Sequence, residues 1–230
     1  MEALRGRTAA AIDPNVWHER VLAADRVVVD VGTGDGRSVL RMARAEPNWL
    51  VIGLDANAER MAESARRAMR TAAKGGAPNA VFVVCLVEHS PDLLHAIADE
   101  VWVQLPWAGL LRGVVRGDEP VLRGIRSLCR PDARIGITVG TDIWRPPVPA
   151  EIADLAVITP DDLRGPLAQR YRRAGLELLA IDERARDVTD PERAASLTSS
   201  WHRRLEASRA GASFLIIEAR PLPPGAAALA

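Results

Sequence analysis

Cysteine is nearly missing from this chain: two residues, Cys85 and Cys129, in 230. Two are too few for a disulfide framework, so a reducing cytoplasm is the expected setting. Lysine is scarcer still, since Lys74 is the one lysine among 30 basic residues. The 30 acidic residues cancel that charge to zero. A globally basic nucleic-acid binder is thereby excluded, and any basic footprint must be local. No run approaches the ~18 uninterrupted apolar residues of a membrane span, and Met1 to Arg7 is charged where a secretory segment would be apolar. What is present is a hydrophobic content of 48%, enough for the core of one ordinary domain, expected over residues 1–220.

The chain is organised around Val27-Val28-Val29-Asp30-Val31-Gly32-Thr33-Gly34-Asp35-Gly36. β-Branched residues broken by one carboxylate read as a buried central strand. Three glycines at alternate positions force a tight turn, and Val39, Leu40, Met42 and Ala43 have helical spacing after it. Strand, glycine turn and helix open a nucleotide-binding βαβ unit. A dinucleotide fingerprint is G-x-G-x-x-G; here the spacing is G-x-G-x-G, with Asp30 before it and Asp35 inside it. Two carboxylates would repel a pyrophosphate but suit a ligand carrying an ammonium and a sulfonium. D-x-G-x-G-x-G resembles the motif of class I methyltransferases, whose methyl donor is S-adenosylmethionine. The second strand, Leu50 to Leu54, ends in Asp55, a carboxylate placed to take both ribose hydroxyls.

Further along, residues 1–12 predict a small hairpin, and Asp13-Pro14 opens a helix to about Ala24. A helix over Asn57 to Ala73 is ended by Gly75-Gly76-Ala77-Pro78-Asn79. Strands are expected at Ala80 to Leu86, Glu100 to Leu105, Ile135 to Val139, Leu176 to Asp182 and Phe214 to Ala219. Helices are expected at Asp92 to Ala98, Leu110 to Arg112, Pro120 to Arg130, Thr159 to Ala174 and, in part, Pro191 to Ser208. Residues 141–160 form a proline-rich connection long enough to be an inserted element, and 221–230 reads as a disordered tail. The alternation predicts an α/β fold: a seven-stranded, mostly parallel, Rossmann-like sheet with helices on both faces. The last strand enters antiparallel, because no crossover helix separates it from its predecessor. Asp30, Gly32, Asp55, Val87, Glu88 and Leu105-Pro106-Trp107 then share the carboxyl edge, where ligands bind in such sheets.

Trp17, Trp49 and Trp102 read as core. Trp107 and Trp201 adjoin site loops with polar neighbours, and two facing indoles would sandwich an extruded base. Arginines cluster over Arg60, Arg66, Arg67, Arg70 and Lys74, again at Arg203, Arg204 and Arg209, and singly at Arg145; each group suits a phosphate backbone.

Taken together, Val29 to Gly36, Leu105-Pro106-Trp107 with Leu110-Leu111-Arg112-Gly113, Lys74 to Asn79, Trp144-Arg145-Pro146 and Thr198-Ser199-Ser200-Trp201-His202-Arg203-Arg204-Leu205 resemble the aminoglycoside-resistance 16S rRNA (adenine-1408 N1)-methyltransferases, the kanamycin–apramycin resistance type. The likeness runs from about Arg5 to Leu222. It implies a class I fold acting on 16S rRNA in the small ribosomal subunit, as a cytoplasmic monomer without a metal. It implies that Asp30, Gly32, Thr33, Gly34, Asp55, Ala56, Val87, Glu88, Gln104, Leu105, Pro106 and Ser199 hold S-adenosylmethionine. Trp107 and Trp201 would stack the flipped adenine. Arg66, Arg67, Arg70, Lys74, Arg145, Arg203, Arg204 and Arg209 would dock on the RNA. Two departures stand out. Relatives tend to have Gly and then Ser or Thr after the Pro-Trp pair, where this chain has Ala108 and Gly109. They also tend to be basic where it has Ala210 and Gly211. Alternatives of a different kind are a tRNA guanine-N7 methyltransferase, a small-molecule methyltransferase, and a non-catalytic RNA-binding relative with a weakened cofactor site.

Overall fold

A computed structural model describes residues 1–185 and 213–223. Among these the elements run β1 (Glu2–Arg5), β2 (Thr8–Ala11), α1 (Pro14–Ala23), β3 (Arg26–Val31), α2 (Arg37–Ala45), β4 (Trp49–Asp55), α3 (Ala58–Ala68), β5 (Ala80–Val84), β6 (Ala98–Gln104), α4 (Ala108–Arg116), α5 (Glu119–Leu128), β7 (Cys129–Gly140), α6 (Pro160–Arg164), α7 (Pro166–Arg173), β8 (Leu176–Ala185) and β9 (Ser213–Pro221). The predicted hairpin is there, β1 pairing antiparallel with β2. The main sheet has seven strands in the order β5-β4-β3-β6-β7-β9-β8. Its first five are parallel, and β9 runs antiparallel to both β7 and β8, as expected from the missing crossover helix.

The pleat explains the two layers. Val27, Val29 and Val31 of β3 point into one core with Trp17 of α1, Leu111 and Val114 of α4, Leu122 and Ile125 of α5, and Tyr171 of α7. The opposite face of β4 and β5 gives Val51 and Phe82 to a second core, closed by Val39, Leu40 and Ala43 of α2, Met61 and Ala65 of α3, and Leu4 of the hairpin. Two of the helix starts show local capping. Asp13 accepts the Asn15 and Val16 N–H groups, and Thr159 with Asp162 forms a capping box at α6, each stabilising by ~1 kcal/mol.

Several expected elements differ, each for a visible reason. α3 stops at Ala68 rather than Ala73, because Gly76 passes so close to the Arg70 carbonyl that a Cβ there would lie 1.6 Å from its oxygen; only a short 3-10 turn follows at Ala72–Lys74. β5 ends at Val84, the Cys85 N–H making the last ladder bond to the Asp55 carbonyl (3.1 Å) before a 3-10 turn at Val87–His89. The helix expected at Asp92 to Ala98 is one 3-10 turn, stopped where Ala96 adopts φ 54°. Gly165-Pro166 splits the helix expected at Thr159 to Ala174 into α6 and α7. Residues 141–160 form a packed element: Ile152, Leu155 and Ile158 are buried, and Trp144 Nε1 donates to the Leu155 carbonyl (2.9 Å). Tail residues 221–223 belong to the fold: Pro221 pairs with Leu176, and buried Leu222 donates to Gly175 (2.8 Å). Of the tryptophans read as core, Trp17 is buried and donates to Leu93 (2.7 Å). Trp49 lies half-buried under Arg26, 5.0 Å from its ring centroid. Trp102 is half-buried against Gly136, where a Cβ would sit 2.2 Å from the ring.

Candidate active site

The glycine turn is built at the carboxyl end of β3. Gly32, Gly34 and Gly36 all take positive φ (73°, 63° and 70°), a region costly for any side chain. Space opposes substitution as well. A Cβ on Gly32 would lie 2.5 Å from Leu110, and one on Gly36 would lie 2.4 Å from the Phe82 ring. The turn is then bolted to β4. Gly32 and Thr33 donate to the Leu54 carbonyl (2.8 and 2.9 Å), and Gly34 donates to Asp55 Oδ2 (2.8 Å). Asp55 Oδ1 meanwhile accepts the Asn57 N–H (2.8 Å), so one carboxylate orders both the turn and the approach to α3.

A cleft of about 280 Å³ opens over this edge. Its lining includes Gly32, Thr33, Gly34, Asp55, Ala56, Val87, Glu88, Gln104, Leu105 and Trp107, so the structure brings together most of the residues expected to hold a methyl donor. Asp30 and Pro106 do not border it. Asp30 is buried beneath the turn, where its Oδ2 accepts the hydroxyls of Thr33 (2.8 Å) and Ser38 (2.7 Å). Burial pushes its carboxyl up from the usual range, the Ser38 and Thr33 hydroxyls oppose that, and nearby Asp55 adds to it. Pro106 is buried. Sequence reasoning missed Arg60, Cys85, Leu86 and Leu110 as cleft residues, whereas Ala108 and Gly109, singled out as departures, do line it. Arg60 does not belong to a surface arginine face: its guanidinium reaches the cleft beside Gly34. Burial, with Glu88 nearby, pushes the Cys85 thiol up to about 11. A larger hollow of about 650 Å³ lies against Trp102, Gly136 and Glu218; none of the glycine-turn residues borders it, so the chemistry belongs to the smaller cleft.

The Leu105-Pro106-Trp107-Ala108 loop carries backbone strain at both ends. Leu105 and Ala108 each sit at φ 49°, a conformation costing ~1–2 kcal/mol for a residue with a Cβ. The Leu105 N–H is held by the Thr138 carbonyl (2.8 Å). Such strain persists where surrounding packing imposes it, and it clusters at functional sites. Here it leaves the Trp107 indole half-buried at the cleft, with its inner edge on the core. Gly109 faces open space: a Cβ there would meet nothing within 4 Å. The left-handed turn at Ala108 is a conformation that glycine adopts without that cost.

Trp201, Ser199, Arg203, Arg204 and Arg209, and the helix expected over Pro191 to Ser208, lie outside the described residues. The other RNA-directed cations differ in freedom. Arg66 and Arg67 share Glu63 (2.8 and 2.7 Å) and together carry one net charge; their hydrogen bonds hold the Glu63 carboxyl below its usual range. Arg145 pairs at 3.0 Å with buried Asp142, whose Oδ2 takes the Ser213 N–H (2.8 Å). Arg70 and Lys74 meet no carboxylate among the described residues. No three His, Cys, Asp or Glu side chains among them form a metal-binding group, and no described helix is long and apolar enough to cross a membrane.

The cleft passes a test of fit for S-adenosylmethionine. Glycines without Cβ let backbone approach a ligand, Asp55 and Glu88 offer carboxylates for hydroxyl and cationic groups, and the wall at Gly109 has room. With the parallel-then-antiparallel strand order, that cleft defines a class I methyltransferase fold. The family model described as NpmA, 16S rRNA (adenine(1408)-N(1))-methyltransferase, matches residues 2–220, and the chain belongs to that family. A 16S rRNA (adenine(1408)-N(1))-methyltransferase of Streptoalloteichus hindustanus is 40% identical over 185 residues, 80% of this chain and 82% of that one. A tryptophan-to-alanine variant of the enzyme of the same name from Catenulisporales acidiphilia, crystallised with cosubstrate SAM, superposes with TM-score 0.90 at 40% identity, covering 98% of both chains. The 16S rRNA methyltransferase KamB superposes with TM-score 0.84 at 35% identity, over 97% of this chain and all of that one.

Proposed function

We propose that this protein methylates N1 of adenine 1408 in 16S rRNA of the assembled small ribosomal subunit, conferring aminoglycoside resistance, and that it acts as a cytoplasmic monomer. The observation that carries the reading is the Trp107 indole, presented at the mouth of the cleft on a doubly strained loop beside the glycine turn. S-adenosylmethionine supplies an electrophilic methyl group on a sulfonium sulfur. Gly32 and Gly34 would cradle it by backbone, Asp55 would take ribose hydroxyls, and Glu88 and Val87 would border its base. Asp30 supports this set from below by fixing Thr33 and Ser38.

The acceptor, adenine N1, has an in-plane lone pair and no proton at neutral pH, so the chain needs no general base. Its contribution is alignment, an effect that reaches ~7–11 kcal/mol in well-ordered cases. Trp107 and Trp201 would stack the extruded base at ~1–3 kcal/mol per base. Indole faces also favour the cationic product by ~0.5–2 kcal/mol. Arg70, Lys74, Arg145, Arg203, Arg204 and Arg209 would hold the RNA backbone.

The test is methylation of isolated small subunits, with the modified nucleotide mapped by primer extension, for the wild type, Trp107→Ala and Trp201→Ala. Each substitution should keep S-adenosylmethionine affinity in calorimetry and remove most methylation. Modification mapped to a tRNA guanine would instead favour the other RNA enzyme, and full activity of either variant would defeat the stacking role.

A further inference from the structure

The hairpin encloses a groove of about 390 Å³ against α1, α3 and the start of β5. β1 packs on β5 and α3, and the turn at Gly6 comes within van der Waals distance of Arg66 (3.8 Å from a built Cβ). The groove floor is apolar, with Ala3, Leu4, Ala68 and Phe82 buried. Two cations border it, Arg5 from β1 and Arg20 from α1. Arg20 is half-buried and aimed by one hydrogen bond, Nη2 donating to the Pro78 carbonyl (2.8 Å). Neither guanidinium meets a carboxylate among the described residues. Asp13, also at the rim, spends its Oδ1 on the Asn15 and Val16 N–H groups. Burial and the neighbouring Arg5 both pull the Arg20 pKa down. Two neighbouring cations over an apolar floor, offset at the rim only by the Asp13 carboxylate, leave the groove with a net positive charge that favours a further anion.

We infer that this groove is a phosphate-binding subsite for the RNA backbone, with Arg5 and Arg20 straddling one phosphate. It rests on the reading above that the substrate is ribosomal RNA. α3 runs from the cleft to the groove over ~16 Å for its 11 residues, so the phosphate belongs to nucleotides away from the target base. Arg70 and Lys74, beyond the end of the same helix, would continue the track.

The experiment measures affinity for small ribosomal subunits against potassium chloride concentration for the wild type, Arg5→Ala, Arg20→Ala, Arg20→Lys and, as a charge-matched control, exposed Arg173→Ala on α7. Arg5→Ala and Arg20→Ala should each weaken binding on the order of fivefold and flatten the log–log salt slope by about one contact. Arg20→Lys should restore most of the slope, and S-adenosylmethionine affinity should not change in any variant. The exposed Arg5 guanidinium makes no hydrogen bond or ion pair among the described residues, so its variant carries the test if Arg20→Ala fails to fold. Slopes equal to that of Arg173→Ala would overturn the inference. Weakened binding with an unchanged slope would also overturn it, placing an uncharged contact with a ribosomal protein in the groove. The substrate reading is judged separately, by whether wild-type protein methylates the subunit at all. If it does not, titrating inorganic phosphate while following the Arg5 and Arg20 Nε–H resonances decides the groove: shifts confined to those two support it, and none refutes it.

Discussion

A single methyl group, added at two glycines of the same cleft, should have opposite effects. In Gly32→Ala the new Cβ must occupy φ 73° and would lie 2.5 Å from Leu110 Cδ2. The left-handed backbone costs ~1–2 kcal/mol, and pushing Leu110 off its rotamer adds ~0.5–1.5 kcal/mol. Reduced freedom of the unfolded chain returns ~0.4–1 kcal/mol. The net loss is centred near 2 kcal/mol, or a fall in Tm of ~4–8 °C for a chain of this size. Leu110 also borders the cleft, so S-adenosylmethionine affinity should fall by at least about tenfold, the equivalent of ~1.4 kcal/mol. Gly109→Ala, in the first turn of α4, meets nothing within 4 Å and gains helix propensity, so it should stabilise by ~0.5–1 kcal/mol. Differential scanning calorimetry and titration calorimetry on both variants read these outcomes. If both lower Tm alike, or if Gly32→Ala binds the cosubstrate as the wild type does, the packing described for the glycine turn is wrong.

Further outcomes follow from the same coordinates. Gly109→Ser places a hydroxyl in the open corner of the cleft and should tighten S-adenosylmethionine binding by roughly 3–10-fold, as one ordinary hydrogen bond would; titration calorimetry measures it. Cys85, with its pKa at about 11, should be alkylated by iodoacetamide at pH 8 roughly 100-fold more slowly than an ordinary thiol, its rate rising tenfold per pH unit up to about pH 10. A rate like that of free cysteine would show the thiol is not desolvated. Asp30 holds its proton more tightly folded than unfolded, because burial raises its pKa. By linkage its contribution to stability falls as pH rises from the unfolded value of ~3.9 through the folded one. Asp30→Asn should therefore match or exceed the wild-type Tm at pH 7, the difference vanishing below pH ~4, while weakening cosubstrate binding; a lower Tm at pH 7 would show that the charge itself is stabilising.

Much of the site was legible because its determinants are local. The strand-turn-helix from Val27 to Ala45 needs only β-branched residues, three glycines and an amphipathic helix, all contiguous. Asp55 was found because a strand's last residue is fixed by the strand. What escaped depends on residues distant in sequence. Arg60 reads as one more arginine on a helix face until α3 is laid against the turn and Gly34, lacking a Cβ, admits its guanidinium. Leu105 gives no sign of its left-handed backbone, which falls just past the last ladder pair of β6 with β7, Gln104 with Thr138, 34 residues apart in sequence. Residues 141–160 look like a loop by composition. Their order comes from Asp154, which Arg112 and Arg116 of α4 grip at 2.6 and 2.8 Å, and whose carboxyl those guanidiniums hold well below the usual range. This last contact joins the two halves of the argument. The helix whose N-terminus presents Trp107 to the cleft is the helix that anchors the connection bearing Arg145. A base held by Trp107 and a backbone held by Arg145 would therefore share one rigid support, a geometry suited to a target reached only when base and backbone are engaged together.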